Sequence, residues 1–96
     1  MSKIILAVIY KSITDEDKVA KYAAPAGPAM EAAGARILAR GMPAVVKGAG
    51  EAARIVVIEW GSLDSAEKVY DSEVYQAAVA ALDDAAVREI RYFETL

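Results

Sequence analysis

The chain alternates between unbroken apolar, β-branched runs and stretches in which apolar residues recur at helical spacing. Residues 4–10 (IILAVIY) carry apolar side chains on both faces, which predicts a central strand covered on both sides. Thr14 then predicts an N-cap, with Asp17 three residues on as an acidic variant of the capping box. Asp15, Glu16 and Asp17 would place negative charge at the positive end of the helix dipole. Val19, Tyr22, Ala23, Ala26, Met30 and Ala33 continue at near-helical spacing. Pro25 and Pro28 fall inside that pattern and predict a kinked or split helix, and Gly34 is a natural stop.

Residues 35–40 read as a second strand, broken by Gly41-Met42-Pro43, with a short extension through Val45 and Val46. Lys47-Gly48-Ala49-Gly50 supplies a turn; it lacks the spacing of a phosphate loop. Residues 54–60 form a third strand. Ser62 predicts the N-cap of a helix over 63–70, with Asp64 in its first turn. Asp71-Ser72 interrupts that helix and can cap another from 73 to about 85, and residues 88–94 (REIRYFE) read as the last strand.

The resulting order, β-α-β-β-α-β, predicts one α+β domain over residues 1–96 with a ferredoxin-like fold: a four-stranded antiparallel sheet with helices on one face. The third strand carries Val56, Ile58 and Trp60 on one face and Ile55, Val57 and Glu59 on the other. Both faces are mostly apolar, so the helix-free face would be a large exposed patch on a monomer. Pairing with a second copy covers it, and a two-fold homodimer is the simplest symmetry.

Composition narrows the chemistry. A chain of 96 residues buries only about 60–70% of the surface its unfolded form exposes, so burial in an oligomer would add stability. The hydrophobic share, 56%, favours an interface, although much of the excess is alanine. A net charge of -3 and the lack of a basic patch argue against a nucleic-acid partner. No stretch reaches the roughly 20 apolar residues of a membrane span, and the N-terminal run reads as a strand rather than a signal peptide. With no cysteine to call for an oxidising compartment, a cytoplasmic location is expected. Histidine is absent too. Ser–His and Cys–His nucleophile systems are therefore excluded, and zinc and haem lose their ordinary ligands; no metal and no cofactor is expected.

Three segments carry a family resemblance. They are Gly34-Ala35-Arg36 with Ala39-Arg40-Gly41, then Val57-Ile58-Glu59-Trp60, then Tyr70-Asp71-Ser72-Glu73-Val74-Tyr75-Gln76. Through them, and over nearly its whole length, the chain resembles the domain of unknown function 1330 family of the dimeric α/β-barrel superfamily. The resemblance implies a homodimer whose two sheets form a barrel-like core. It also implies that small ligands, where bound, lie between sheet and helices or at the barrel mouth. Two positions depart from the family pattern: Ala35 stands where a second glycine is usual, and Val74 where proline is usual. Relatives in the superfamily bind haem or run oxygenations with histidine or asparagine, and this chain has neither residue.

The candidate ligand-binding residues are Glu59, Arg40, Arg36, Trp60, Tyr70, Tyr75 and Tyr22. Glu59 lies in a strand read as buried, where a carboxylate needs a partner or a raised pKa. Antiparallel pairing can set Arg36 opposite Glu59, unless a bulge near Gly41 changes the register. The pair would then be either a structural ion pair or a general acid/base beside a ligand-binding arginine. Asp71 and Ser72 are explained as helix caps. The tyrosines and Trp60 fit a core with buried rings as well as a pocket wall. Of Arg88 and Arg91, on opposite faces of the last strand, at most one points inward.

Three functions fit these residues. One is a small homodimeric domain binding a carboxylate or phenolic ligand. Another is a cofactor-independent isomerase or oxygenase acting on a small aromatic or carbonyl compound. The last is a purely structural dimer. A pocket holding Glu59 and an arginine face to face without a salt bridge would favour the first two, and a pocket filled by side chains the last.

Overall fold

A computed structural model describes residues 3–96. Its elements are β1 (Ile4–Ile13), α1 (Glu16–Ala32), β2 (Arg36–Gly41), β3 (Arg54–Trp60), α2 (Leu63–Tyr70), α3 (Glu73–Leu82) and β4 (Ala86–Glu94). Along β1, Ile4, Leu6, Val8 and Tyr10 are buried while Ile5, Ala7 and Ile9 are only half-buried. That alternation separates a core face from an open face. The sheet runs in the order β2-β3-β1-β4 with every neighbour antiparallel, the ferredoxin-like arrangement. All three helices lie over one face, where Val19, Tyr22, Ala26 and Met30 of α1 and Tyr75, Ala78 and Leu82 of α3 close on Ile58 and Trp60.

The prolines do not split α1, which runs unbroken from Glu16 to Ala32. Pro25 and Pro28 are both exposed on the outer surface of the helix. The carbonyls that lose a donor to them belong to the exposed Lys21 and Ala24, so water can take the lost bonds. The helix ends in a Schellman closure. Gly34, at φ 97, donates to the Glu31 carbonyl, and Ala35 to that of Met30. Ala35 and Met30 are both buried there, so the chain turns into β2 over an apolar contact.

The cap of α1 is Asp15, not Thr14. Its carboxylate accepts from the backbone N–H of Asp17 at 3.0 Å and of Lys18 at 3.2 Å. Thr14 is committed elsewhere, since both its N–H and its hydroxyl donate to the Ala85 carbonyl. The predicted extension through Val45 and Val46 is also absent: both are exposed in the connection between β2 and β3. Ser62 and Ser72 cap α2 and α3 as predicted. Helix α3 stops at Leu82, three residues short of the prediction, because Asp83 turns the chain with φ 55.

The register of β2 has the largest consequence for function. Arg36 does stand opposite Glu59 and Ile37 opposite Ile58, but the next pair is Ala39 with Val57. Leu38 is the extra residue of a β-bulge. Arg36 and Arg40 share a face by simple alternation. The bulge reverses this by setting Arg40 opposite Val56, on the helix-covered side.

Candidate functional site

Between α1 and the sheet lies a cavity of about 130 Å³. Its walls are aliphatic, with Leu6, Val8, Val56 and Ile58 from the sheet and Val19, Ala26 and Met30 from α1. The helix contributes small residues at Ala23 and Gly27, and a Cβ placed on Gly27 would meet no atom within 4 Å. The space therefore exists because the helix withholds side chains from it. Apolar cavities of about this size, near 150 Å³, take up single-ring molecules such as benzene.

Polar groups gather at two places. One is the rim, where Arg40 and Arg54 line the cavity. Arg54 is committed, since its Nη1 and Nη2 donate to the two Glu16 carboxylate oxygens at 3.1 and 3.0 Å. Arg40 is exposed and takes part in no ion pair among the described residues. The other is the tyrosine wall. The Tyr22 and Tyr75 hydroxyls are hydrogen bonded to each other, and their rings meet edge to face at 5.9 Å between centroids. Tyr10 also lines the cavity and lies between Arg54 and Arg88 across the sheet.

Arg88 stands behind these tyrosines. Its Cζ lies 4.6 Å from the Tyr22 ring centroid and 5.9 Å from that of Tyr10. Its Nη1 is buried without a hydrogen-bond partner, and no carboxylate among the described residues pairs with it. Burial pushes the Tyr22 phenol well above its ordinary range, with the adjacent Tyr75 adding to the shift and Arg88 opposing it. Burial raises Tyr10 in the same way. Both phenols are therefore neutral donors at neutral pH.

The candidate residues named from sequence do not form one site. Tyr22, Tyr75 and Arg40 line the cavity. Trp60 and Tyr70 line a gap of about 10 Å³ beside it, which Tyr75 shares, and the Trp60 indole N–H is buried without a partner. Glu59 and Arg36 lie on the opposite, open face of the sheet, where Glu59 accepts from Lys3 Nζ at 3.4 Å. No arginine faces Glu59 inside a pocket. Arg88 and Tyr10 were missed as site residues. The available signal was alternation: Arg88 shares a face with Ile90 and Tyr92, and Tyr10 with Ile4, Leu6 and Val8.

Residues 5–96 match the sequence profile of a domain of unknown function, DUF1330. The chain belongs to that family. Among solved structures it is similar to the RPA0582 protein of unknown function from Rhodopseudomonas palustris, with a TM-score of 0.78 at 16% identity over 99% of this chain and 83% of that one. It is also similar to a mutant of SnoaB, a cofactor-independent oxygenase from Streptomyces nogalater, with a TM-score of 0.68 at 9% identity over 99% and 94%. A dimeric ferredoxin-like protein of unknown function from Thermobifida fusca has a TM-score of 0.64 at 17% identity over 98% and 92%. At these identities the likeness establishes the shared fold. No curated protein matches the chain. Among the described residues no helix is long and apolar enough to cross a membrane, and no group of three or more acidic, cysteine or histidine side chains could hold a metal ion.

Proposed function

We propose that this DUF1330 protein is a homodimeric binding domain for small single-ring carboxylates or phenols, taken up in the cavity between α1 and the sheet. The observation that carries this reading is a ring-sized apolar cavity with an uncommitted arginine at its rim. The aliphatic walls suit the ring. Arg40, unlike Arg54, has a guanidinium free to pair with a carboxylate. The cavity is not filled by side chains, which weighs against a purely structural role. The open sheet face supports the dimer: Ile5, Ile9, Ile55 and Val57 are only half-buried on it, Phe93 is exposed, and a neighbour of the same fold is described as dimeric.

A melting-temperature screen with benzoate, phenol and a short aliphatic carboxylate tests the reading. Benzoate should raise Tm in proportion to the logarithm of its concentration above Kd. Arg40→Gln should weaken benzoate by about tenfold or more, the scale of a lost charge-assisted hydrogen bond. Gly27→Leu should fill the cavity and abolish the shift while the far-ultraviolet circular dichroism stays native. Null shifts for every compound would reject the proposal.

A second reading, a cofactor-independent oxygenase or isomerase, draws on one feature. The Tyr22–Tyr75 hydroxyl pair beside Arg88 provides proton donors and a positive field at the cavity wall, whereas Glu59 lies outside it. The similarity to SnoaB is a likeness of fold and adds no residue to that case.

A further inference from the structure

The tyrosine wall holds one more O–H donor than its internal hydrogen bond uses. Tyr22 and Tyr75 each carry a hydroxyl proton, and their mutual hydrogen bond uses one of them. Beyond that pair, the group that reaches the Tyr22 hydroxyl is the Arg88 guanidinium, which can donate to it but accepts nothing. One O–H donor therefore remains where both residues line the cavity. Behind it lies a cation that no carboxylate among the described residues pairs with. Arg88 packs on the Tyr22 ring at 4.6 Å, has no carboxylate partner among the described residues, and keeps Nη1 buried and unpaired. Arg88 as a whole is half-buried, and a partly desolvated charge without a counter-charge gains when an anion settles nearby.

The other charged and titratable groups facing this end do not supply that anion. Tyr10 and Tyr92 are phenols whose ionisation burial opposes, and the Glu67 and Asp71 carboxylates that add to the rise at Tyr92 line the outer gap beside Tyr70 rather than the cavity. Tyr70 packs tilted on Tyr75 at 5.2 Å. Arg54 is neutralised by Glu16, and Arg40 adds positive charge at the rim. Arg88 behind the wall works against the burial that holds Tyr22 and Tyr10 protonated, and with Arg40 at the rim a free hydrogen-bond donor completes the set.

Resting on the ring-binding reading above, we infer that the cavity selects phenols and binds them as phenolates, with the phenolate oxygen at the Tyr22–Tyr75 pair and Arg88 as the positioning residue that supplies the compensating charge. The phenol proton leaves to solvent on binding, and no bond of the ring is broken. A polar substituent opposite the oxygen would then point towards Arg40. The site would in effect be an anion hole built from a tyrosine hydroxyl pair and a guanidinium that lacks a carboxylate partner among the described residues.

The test uses 4-nitrophenol, whose phenolate absorbs visible light, titrated from acid to alkaline pH free and in the presence of excess protein. The bound midpoint should fall by roughly one unit or more, the scale of a charge several ångströms away in a protein interior. Tyr75→Phe keeps the ring and the packing, removes a donor, and should lessen the fall. Arg88→Met should abolish most of it, and Arg88→Lys should restore part. A wild-type midpoint at or above the free value overturns the inference, as does an Arg88→Met protein of native circular dichroism with an undiminished fall. Benzoate carries no phenol, so benzoate binding without a lowered nitrophenol midpoint rejects this inference alone. Failure of both ligands to bind rejects the binding reading with it.

Discussion

Arg88 and Tyr22 show how much a side chain's meaning depends on what surrounds it. Arg88 is a charged residue in a strand, ordinarily a solvated edge, yet here its guanidinium lies against two tyrosine rings on the core side of the sheet. Alternation with Ile90 and Tyr92 reveals the face. It cannot reveal that no carboxylate reaches Arg88, because that depends on which residues the helices bring across. Tyr22 gives a pH prediction. Its folded-state pKa lies above the ordinary value of about 10, chiefly through burial. Above pH about 10 the unfolded chain gives up this proton while the native state holds it. Stability tied to Tyr22 is thus fully present below that pH and is lost as pH rises towards the folded value. Denaturant titrations from pH 9 upward should show stability falling more steeply in the wild type than in Tyr22→Phe. Equal slopes would mean that Tyr22 ionises as freely folded as unfolded.

At the scale of elements, helix α1 and strand β2 decide the site. In α1 the prolines face outward and the small residues inward, so the same 17-residue segment tolerates two helix breakers and leaves a cavity under it. Gly27 is unfavourable in a helix interior by roughly 0.5–1 kcal/mol relative to alanine. Since a Cβ there meets nothing within 4 Å, Gly27→Ala should stabilise the protein by about that amount in chemical denaturation. A loss of stability would show that the space is not free. In β2 the bulge at Leu38 reverses which face Arg40 occupies. The composition of residues 36–41 offers no glycine or proline at the bulge itself to announce it, and the break expected near Gly41 falls after Arg40 has already been placed.

At the scale of the whole molecule, two layers form a slab measuring 33 × 33 × 16 Å, with helices on one broad side and bare sheet on the other. The bare side is large enough for the roughly 800 Å² per partner of a standard interface. Its centre is apolar, at Ala7, Val57 and Ala39 across three strands, and it is bordered by the Lys3–Glu59 and Arg91–Glu89 pairs. Light scattering at micromolar concentration should give a dimer. Val57→Asp should shift it towards monomer, because an unpaired carboxylate would be buried at the centre of the interface. A wild-type monomer under those conditions would refute the dimer. Two of the residues expected from sequence at the ligand site border this face instead, Glu59 directly and Arg36 opposite it.

Order and type of the elements, the Ser62 and Ser72 caps and the four-stranded antiparallel sheet were legible in the chain by itself, because local periodicity and capping chemistry act over a few residues. The apolar character of both faces of β3 was legible for the same reason. Tertiary structure alone decided the content of the site. It used Thr14 to tie two turns together and passed the cap to Asp15, and it separated Glu59 and Arg36 from Tyr22, Tyr75 and Arg40 across the thickness of the sheet. It also left Arg88 beside a phenol pair with no carboxylate partner among the described residues. The physical reason is that a single extra residue in a strand reverses every side chain beyond it, and whether a buried charge finds a partner depends on residues distant in sequence.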